Sequence, residues 1–341
     1  MTHIFIKSFN RPYYLDRCIA SIYQNVSGNF EIIVLDDGTP EKYINKIKLK
    51  YPSIFVRISK QAIKKRIAIK ENLETGKKIN GFEIPTDLWK SEVQIAKDYV
   101  LVTEDDVWFT TPIDLDDLIK CIYKENIPLV KLGWLGMNYN ADKCYTNILS
   151  ENIVNATPKK LFTSNKLIMN LFMYNKYKFF TILYKLGYVD NNTKEEYWHL
   201  NSILMGLYKK EYWLTIWKDA IGQVDEKQQL RNAAAWYHKN KNAIFARTKQ
   251  EVLKTTFKSS ATSSYHEYGN PFDVNRFNFI LNEFWLNDDF NSLENYPNDF
   301  SDGYIQQKLE KANHPDAQYT EWYIWAEKFR QQYRNIGCIV E

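Results

Sequence analysis

Acidic residues follow directly on two short apolar segments of the chain. The two groups are Asp36 and Asp37 after the segment at 31–35, and Glu104, Asp105 and Asp106 after the segment at 99–103. Adjacent carboxylates repel one another, and Mg²⁺ or Mn²⁺ is commonly held by one or two carboxylates together with substrate phosphates. The pattern therefore indicates metal-assisted chemistry on a phosphate-bearing substrate. A structural role, in which Asp105 and Asp106 cap the next turn, explains the triplet alone equally well.

The segments around these acids predict alternating strands and helices. The predicted strands are residues 3–8, 31–35, 53–59, 99–103 and 130–135, and the predicted helices are residues 13–24, 40–50 and 86–97. The strands are short and apolar, whereas the helices have apolar residues at helical spacing. This alternation is typical of an α/β protein with parallel strands joined by right-handed crossovers. Ligands of such sheets bind beyond the carboxyl ends of the strands, where both acidic groups are expected.

Three motifs occur in the order seen in GT-A glycosyltransferases. They are Phe-Asn-Arg-Pro at 9–12, Glu-Ile-Ile-Val-Leu-Asp-Asp-Gly-Thr at 31–39, and Tyr-Val-Leu-Val-Thr-Glu-Asp-Asp at 99–106. The chain most resembles the large inverting family 2. The resemblance is good over about residues 2–110 and loose over residues 110–250. The resemblance implies an α/β GT-A fold, that is, a Rossmann-like mixed sheet flanked by helices. It also implies a nucleotide-sugar donor, with a UDP-sugar favoured.

The resemblance assigns expected roles to the residues of these motifs. The nucleoside is expected to be held by the loop after the first strand and by the acid after the second. These residues are Ser8, Asn10, Arg11 and Asp37, with Asp36 as the neighbouring alternative.

The acidic triplet corresponds to the DxD motif of that family. Its last acid, Asp106, is expected to bind Mn²⁺ or Mg²⁺, and its first acid, Glu104, to face the nucleotide-sugar, with Asp105 between them. Here the motif reads Glu-Asp-Asp rather than Asp-x-Asp. The family's Ala-Arg-Asn-x-Gly segment is also replaced, by Asp-Leu-Trp-Lys-Ser at 87–91. Lys90, or Arg66 from a predicted basic loop, is expected to supply the missing positive charge.

An acidic pair opens the predicted helix that follows residue 193. Inverting GT-A enzymes commonly carry such a pair, and one acid deprotonates the acceptor hydroxyl, which is otherwise a poor nucleophile. Glu196 aligns best with that base, and Glu195 is the alternate. The competing interpretation is an ordinary helix N-terminus in which Thr193 and Glu196 form a capping box. His266 is a further candidate for a contact with the diphosphate.

The rest of the chain predicts an acceptor half and a helical extension. We expect a catalytic domain at 1–250, with a nucleotide-binding half at 1–110 and an acceptor half at 111–250, followed by a mainly helical extension at 251–341. The extension is predicted to contain helices at 273–286 and 318–334, separated by a loop rich in Asn, Asp and Pro. Residues 161–186 are apolar and interrupted by lysines. A core-facing helix is favoured there over an acceptor-side surface or a membrane-interface helix.

Composition and charge narrow the classes of function. No segment resembles a membrane span or a signal peptide, and the four cysteines are far apart, so we expect a cytoplasmic protein with peripheral membrane contact as an open alternative. Residues 42–78 hold ten Lys, two Arg and two Glu, a local charge of +10. Such an excess is either solvated surface or a polyanion-binding site.

Three functions follow from these observations. The favoured function is transfer of a sugar, with inversion, to a hydroxyl of a glycan, lipid-linked sugar or protein. The second is a DNA glycosyltransferase acting on hydroxymethylated bases, which draws on the basic segment at 42–78. The third is a non-catalytic protein that binds nucleotides or polyanions.

Overall fold

A computed structural model describes residues 1–79, 81–137, 139, 141–260, 268–269, 271–335 and 337–340 of the 341-residue chain. The strands are β1 (Thr2–Ser8), β2 (Val26–Ser27), β3 (Phe30–Asp36), β4 (Phe55–Ile58), β5 (Tyr99–Glu104), β6 (Val107–Phe109), β7 (Ile113–Asp114), β8 (Leu129–Lys131), β9 (Ile153–Asn155), β10 (Gly206–Lys209), β11 (Ala246–Thr248) and β12 (Leu253–Thr255). The helices are α1 (Pro12–Asn25), α2 (Glu41–Lys50), α3 (Ala62–Thr75), α4 (Thr86–Ile95), α5 (Leu115–Lys124), α6 (Lys166–Met173), α7 (Phe179–Lys185), α8 (Lys210–Trp217), α9 (Glu226–Lys239), α10 (Val274–Leu286), α11 (Asp302–Ala312) and α12 (Tyr319–Arg334). Short 3₁₀ segments lie at Lys176–Lys178, Asn191–Leu200 and Pro315–Ala317.

The main sheet is mixed and has the strand order β4-β3-β1-β5-β10-β8-β11-β9. Strands β4, β3, β1 and β5 run parallel to one another. Strand β10 is antiparallel to both β5 and β8, which restores the original direction at β8. The predicted α/β class with a mixed sheet flanked by helices is therefore confirmed.

Helices cover both faces of this sheet, which explains the continuous apolar runs in its strands. Within β1, Ile4 and Ile6 belong to one buried cluster and Phe5 belongs to the other. Helix α1 begins with Pro12, whose fixed φ suits the first helical turn.

The C-terminal helices pack into the same core as the sheet. The indole rings of Trp285, Trp322 and Trp325 are buried in the cluster that also contains Ile4. Helix α10 packs against α1 and α2. The predicted helices near 273–286 and 318–334 are confirmed as α10 and α12. The division of the chain at residue 250 stays a prediction.

Two helices lie where the sequence predicts loops. The predicted basic loop around Arg66 is α3, and α11 lies within the polar loop between α10 and α12. Ile63 and Ile67 of α3 are exposed, so its apolar residues do not form the single buried stripe by which a surface helix is recognised. The start of α11 is stabilised by Ser301, whose side chain accepts a hydrogen bond from the Tyr304 amide.

The predicted helix after Thr193 is also different in the structure. Residues Asn191–Leu200 form a 3₁₀ segment, and its capping box joins Asp190 and Thr193 rather than Thr193 and Glu196. The apolar stretch at 161–186 is likewise divided into two short helices, α6 and α7.

Candidate active site

The carboxyl ends of three neighbouring strands define the candidate site. In the central part of the sheet, β1 lies between β3 and β5. Ser8 at the end of β1 pairs with Asp36, and Lys7 pairs with Glu104. The loop after β1 therefore lies between the two acidic groups that the sequence singled out.

The Asp105 side chain holds the loop after β1 through hydrogen bonds and an ion pair. Its side chain is 1% exposed. One carboxylate oxygen accepts hydrogen bonds from the Ser8 hydroxyl (3.0 Å) and the Phe9 amide (3.1 Å), and the other accepts one from Arg11 Nη2 at 2.6 Å. Burial raises the pKa of Asp105 and the Arg11 guanidinium lowers it. Both oxygens of Asp105 thus hold the loop after β1 in place.

Asp106 keeps one carboxylate oxygen available. Its Oδ2 accepts a hydrogen bond from Arg11 Nη1 at 2.9 Å, whereas its buried Oδ1 has no hydrogen-bond partner among the described residues. Burial raises the pKa of Asp106, the Arg11 charge opposes this, and the neighbouring Glu104 charge adds to it. A buried acceptor oxygen without a partner is stabilised when it binds a cation or accepts a hydrogen bond from a ligand.

Glu104 is neutralised by a buried lysine that the sequence analysis did not single out. Lys7 Nζ donates to Glu104 at 2.6 Å and lies over the rings of Trp89 (4.7 Å) and Trp217 (5.2 Å). Burial alone would raise the pKa of Glu104, but Lys7 and Arg11 lower it below its ordinary value. The Glu104 side chain is 40% exposed, so this ionised carboxylate faces solvent at the strand end.

The two acids after β3 have different surroundings. Asp36 is buried and accepts hydrogen bonds from the amides of Gly38 and Thr39, which fixes the turn. Asp37 pairs through Oδ2 with Lys65 Nζ at 2.5 Å, and its Oδ1 has no hydrogen-bond partner among the described residues. Burial raises the pKa of Asp37 and Lys65 partly offsets this.

Asn10 lies beside these acids but is engaged by protein groups. Its backbone has a φ of 55°, in the left-handed region that asparagine tolerates better than most residues. Its amide donates to Thr39 Oγ1 at 2.8 Å, and its carbonyl accepts a hydrogen bond from Asn282 of α10. Asn10 therefore connects the loop after β1 to the turn after β3 and to the C-terminal helices.

The two residues proposed to replace the family's missing arginine are bonded elsewhere. Arg66 donates to the Thr39 carbonyl and to Glu41. Lys90 donates to the Ala220 carbonyl at 2.7 Å. The positive charges that contact the acidic residues come instead from Arg11, Lys65 and Lys7.

Glu226 is a candidate that sequence reasoning missed. It is the first residue of α9 and is exposed, yet enough protein surrounds it to raise the pKa of its carboxyl, and the charges of Glu104 and Asp225 add to the rise. Among the causes of the raised pKa of Glu226 is the charge of Glu104, an acid of the triplet at 104–106. Asp225 instead caps α9 and accepts a hydrogen bond from the Tyr174 hydroxyl at 2.6 Å. The sequence signal for Glu226 is an acidic pair, Asp225 and Glu226, at the start of a helix that lies two helices after the segment of the predicted pair.

Glu195 and Glu196 line a separate small pocket of about 140 Å³ together with Lys143 and His199. Burial raises the pKa of both glutamates, and Lys143 opposes the rise. Burial, with the charges of Lys131 and Lys143, lowers the pKa of His199 to about 3. The structure thus groups the predicted acidic pair with a neutral histidine. His266 lies outside the described residues.

The described residues offer a divalent ion one buried carboxylate oxygen without a partner at the acidic triplet, Asp106 Oδ1. Among the described residues, no group of three or more His, Cys, Asp or Glu side chains is arranged to hold a metal. The reason is local, because Asp105 is bonded to the β1 loop and Glu104 to Lys7. Asp106 Oδ1 still offers an unpartnered oxygen, which suits Mg²⁺ or Mn²⁺ when substrate phosphates and water supply the other ligands.

Residues 3–71 match the family model described as Glycosyl transferase family 2. This segment contains β1, β3, the loop between β1 and α1, and most of α3. The match confirms the predicted resemblance to this family over residues 3–71.

Solved structures of two glycosyltransferases are similar to the chain. The S. aureus TarS 1–349 complex with UDP-GlcNAc has 12% identity and a TM-score of 0.41, covering 100% of this chain and 84% of that chain. Glucosyl-3-phosphoglycerate synthase from Mycobacterium tuberculosis, in complex with Mn²⁺, UDP and glucosyl-3-phosphoglycerate, has 11% identity and a TM-score of 0.41, covering 86% and 82%. At these values neither likeness bears on the function of this chain. A comparison with curated proteins gave no match.

Proposed function

We propose that the chain transfers a sugar from a nucleotide-sugar donor, favouring a UDP-sugar, to an acceptor hydroxyl on a glycan, lipid or protein, with inversion. One observation carries this proposal. Asp37 Oδ1 and Asp106 Oδ1 are buried carboxylate oxygens without a partner in the described structure, and they follow β3 and β5, the two strands that flank β1. Two such acceptors beside Arg11 and Lys65 suit a ligand that combines hydrogen-bond donors with a cation-bound diphosphate.

Asp37 is the proposed contact of the nucleoside. Its Oδ1 would accept a hydrogen bond from the base or the ribose, while Lys65 keeps the carboxylate ionised and fixed through Oδ2. Ser8, Asn10, Asp36 and Asp105 would act mainly by positioning, because their polar groups bind other parts of the same loops. Arg11 would share its charge between Asp105, Asp106 and the donor diphosphate.

Asp106 is the proposed protein ligand of Mn²⁺ or Mg²⁺. The bound ion would neutralise the negative charge that develops on the diphosphate leaving group. Glu104 would face the nucleotide-sugar from the exposed end of β5. Lys7 would keep Glu104 ionised, since their contact lowers the pKa of that carboxyl.

Glu226 is the favoured base candidate. A base must reach the acceptor hydroxyl beside the donor, and of the candidate acids Glu226 is the one whose charge interacts with Glu104. The charged neighbours of Glu195 and Glu196 are instead Lys143, Asp190 and, for Glu196, Lys160. Glu196 and Glu195, the bases predicted from the sequence, remain the alternatives to Glu226. If one of them is the base, the acceptor binds in their pocket.

The basic segment at 42–78 supports a DNA acceptor less in the structure than its charge suggests in the sequence. Within the described part of the chain, at least nine of its twelve basic side chains form ion pairs with acids, among them Lys42 with Glu283 and Lys46 with Asp288. Charges neutralised within the fold contribute little to binding of a polyanion.

Turnover of a donor panel tests the proposed activity. The protein is incubated with individual nucleotide-sugars and Mn²⁺, and release of the nucleoside diphosphate is measured with and without simple glycan acceptors. We expect slow release from at least one donor without acceptor, and faster release when a suitable acceptor is added. Binding of donors without any release would favour the non-catalytic alternative.

A further inference from the structure

A short helical hairpin next to the candidate site carries an unusual set of charges. It comprises α6, the turn at Lys176–Lys178, α7 and the residues to Tyr188, and is named here the basic hairpin. The chain has no Asp or Glu between residues 152 and 189. The same stretch holds six lysines, at positions 159, 160, 166, 176, 178 and 185.

The outer surface of the basic hairpin is apolar as well as basic. No residue of α7 is buried, although its sequence is Phe-Phe-Thr-Ile-Leu-Tyr-Lys. Tyr177, between two lysines at the tip, is 90% exposed, and Leu186 is 64% exposed. The other exposed apolar residues of the hairpin are Leu167, Ile168, Ile182, Tyr184 and Tyr188. Within the described residues, this exposed apolar surface is not covered by the rest of the chain.

The inner face of the hairpin fixes this surface in place. Met169, Phe172 and Met173 of α6 are buried in the core on one side of the sheet. At the tip, Tyr177 and Lys178 have φ values of 53° and 58°, a conformation that side-chain-bearing residues rarely adopt. The Asn175 side chain bonds both the amide and the hydroxyl of Thr181, which holds the turn that exposes Tyr177.

The lysines of the hairpin differ from those of the segment at 42–78. Lys166, Lys176, Lys178 and Lys185 form no ion pair within the part of the chain that the structure describes. Lys194 packs over the Phe180 ring at 4.1 Å and adds a further positive charge beside α7. The surface therefore combines unneutralised positive charge with exposed aliphatic and tyrosine side chains.

We propose that the basic hairpin docks the protein on an anionic phospholipid surface. Lysines near such a surface are attracted to its negative potential, while Tyr and Leu side chains enter the interfacial region. Charge complementarity favours this occupant, because a lipid surface satisfies many lysines and apolar side chains together without a matching shape. None of the described helices has the length and apolar composition needed to span a bilayer.

Docking in this position would bring the candidate site close to the lipid. Helix α6 packs against α9, which begins at Glu226, and the Tyr174 hydroxyl bonds Asp225 at 2.6 Å. The hairpin is thereby attached to the helix that carries the favoured base candidate. Docking itself does not depend on the proposed transfer and is measured without a donor.

Vesicle binding tests the proposal. The full chain is sedimented with vesicles of equal parts phosphatidylglycerol and phosphatidylcholine, and with vesicles of phosphatidylcholine alone. We expect binding to the anionic vesicles that weakens with salt, and little binding to the neutral ones. Combined substitution of Lys176→Gln, Lys178→Gln and Lys185→Gln should lower the partition coefficient about a hundredfold, and Leu186→Ser should lower it roughly tenfold.

Matched controls use exposed residues outside the basic hairpin. The triple variant Lys48→Gln, Lys124→Gln and Lys218→Gln removes the same charge from exposed positions, and Leu49→Ser removes a leucine that is 83% exposed. Equal losses of vesicle binding in the hairpin and control variants would overturn the proposal. A wild-type chain that does not bind anionic vesicles would overturn it as well. A further outcome is that the wild type self-associates but does not bind vesicles, and that Leu186→Ser abolishes the self-association. This result would assign the surface to a second copy of the chain and would also contradict the proposal.

Discussion

Arg11 and Asp105 form a buried ion pair, with Nη2 and Oδ1 2.6 Å apart, that fastens the loop after β1 to the end of β5. The second guanidinium nitrogen of Arg11 reaches Asp106 at 2.9 Å. One arginine thus holds two adjacent carboxylates that would otherwise repel each other. The arrangement leaves Asp106 Oδ1 as the available oxygen of the pair, and this residue carries the metal proposal.

Substitution of Asp106 separates metal binding from nucleotide binding. Asp106→Asn keeps the shape of the side chain but removes the charge that attracts a divalent ion. We expect unfolding near that of the wild type, with loss of the additional thermal stabilisation that Mn²⁺ gives in the presence of a nucleoside diphosphate. The exposed Asp117→Asn is a suitable control. A full Mn²⁺ response in Asp106→Asn would remove the metal role from this residue.

Three glutamate variants distinguish the candidate bases. Glu226→Gln should retain donor affinity and reduce transfer by roughly 10²–10⁴-fold, because glutamine cannot accept the acceptor's proton. Glu195→Gln and Glu196→Gln should then transfer at near wild-type rates. Glu211→Gln, at an exposed position on α8, controls for loss of a surface charge.

The opposite pattern would be equally informative. A large defect confined to Glu196→Gln would return the base to the residue that the sequence favoured and place the acceptor in the pocket with His199. Wild-type transfer in all three variants would leave the inverting mechanism without a base among these acids.

The neutral state of His199 predicts a pH effect on stability. Its pKa is about 3 in the folded chain and 6.5 ordinarily, so between these values the unfolded chain binds a proton that the folded chain does not. The contribution is fully present above pH 6.5 and is lost as the pH falls, by about 1.4 kcal/mol per unit. In urea titrations from pH 7 to pH 5, His199→Gln should lose less stability than the wild type. Equal pH dependence in the two proteins would contradict the predicted shift.

The sequence predicted the acidic groups at the sheet edge better than the candidate base. The acids at 36–37 and 104–106 follow buried apolar runs, so both their strands and their position at the sheet edge could be recognised. The choice of a candidate base depends on tertiary contacts. Glu226 becomes notable only because its charge interacts with that of Glu104 in the folded chain.

Predictions from local sequence patterns were wrong where tertiary packing determines the structure. The acidic pair at Glu195 and Glu196 looked like a helix start, but the turn is capped by Asp190 and is 3₁₀. Lys65 belonged to a basic run that resembled solvated surface, yet one lysine of that run is buried against Asp37. Burial of a single member of a charge run cannot be read from its sequence.

Calorimetric titration of the wild type and Asp37→Asn with nucleoside diphosphates, in the presence of Mn²⁺, tests the central claim most directly. Asparagine at position 37 removes the charge that Lys65 balances, so folding is first confirmed by thermal unfolding without ligand. We expect saturable binding of at least one nucleoside diphosphate to the wild type and to the exposed control Asp117→Asn. Binding to Asp37→Asn should be at least tenfold weaker, equivalent to about 1.4 kcal/mol. No binding by the wild type, or unchanged affinity in a folded Asp37→Asn variant, would contradict the assignment of the donor site to the edge between β3 and β5.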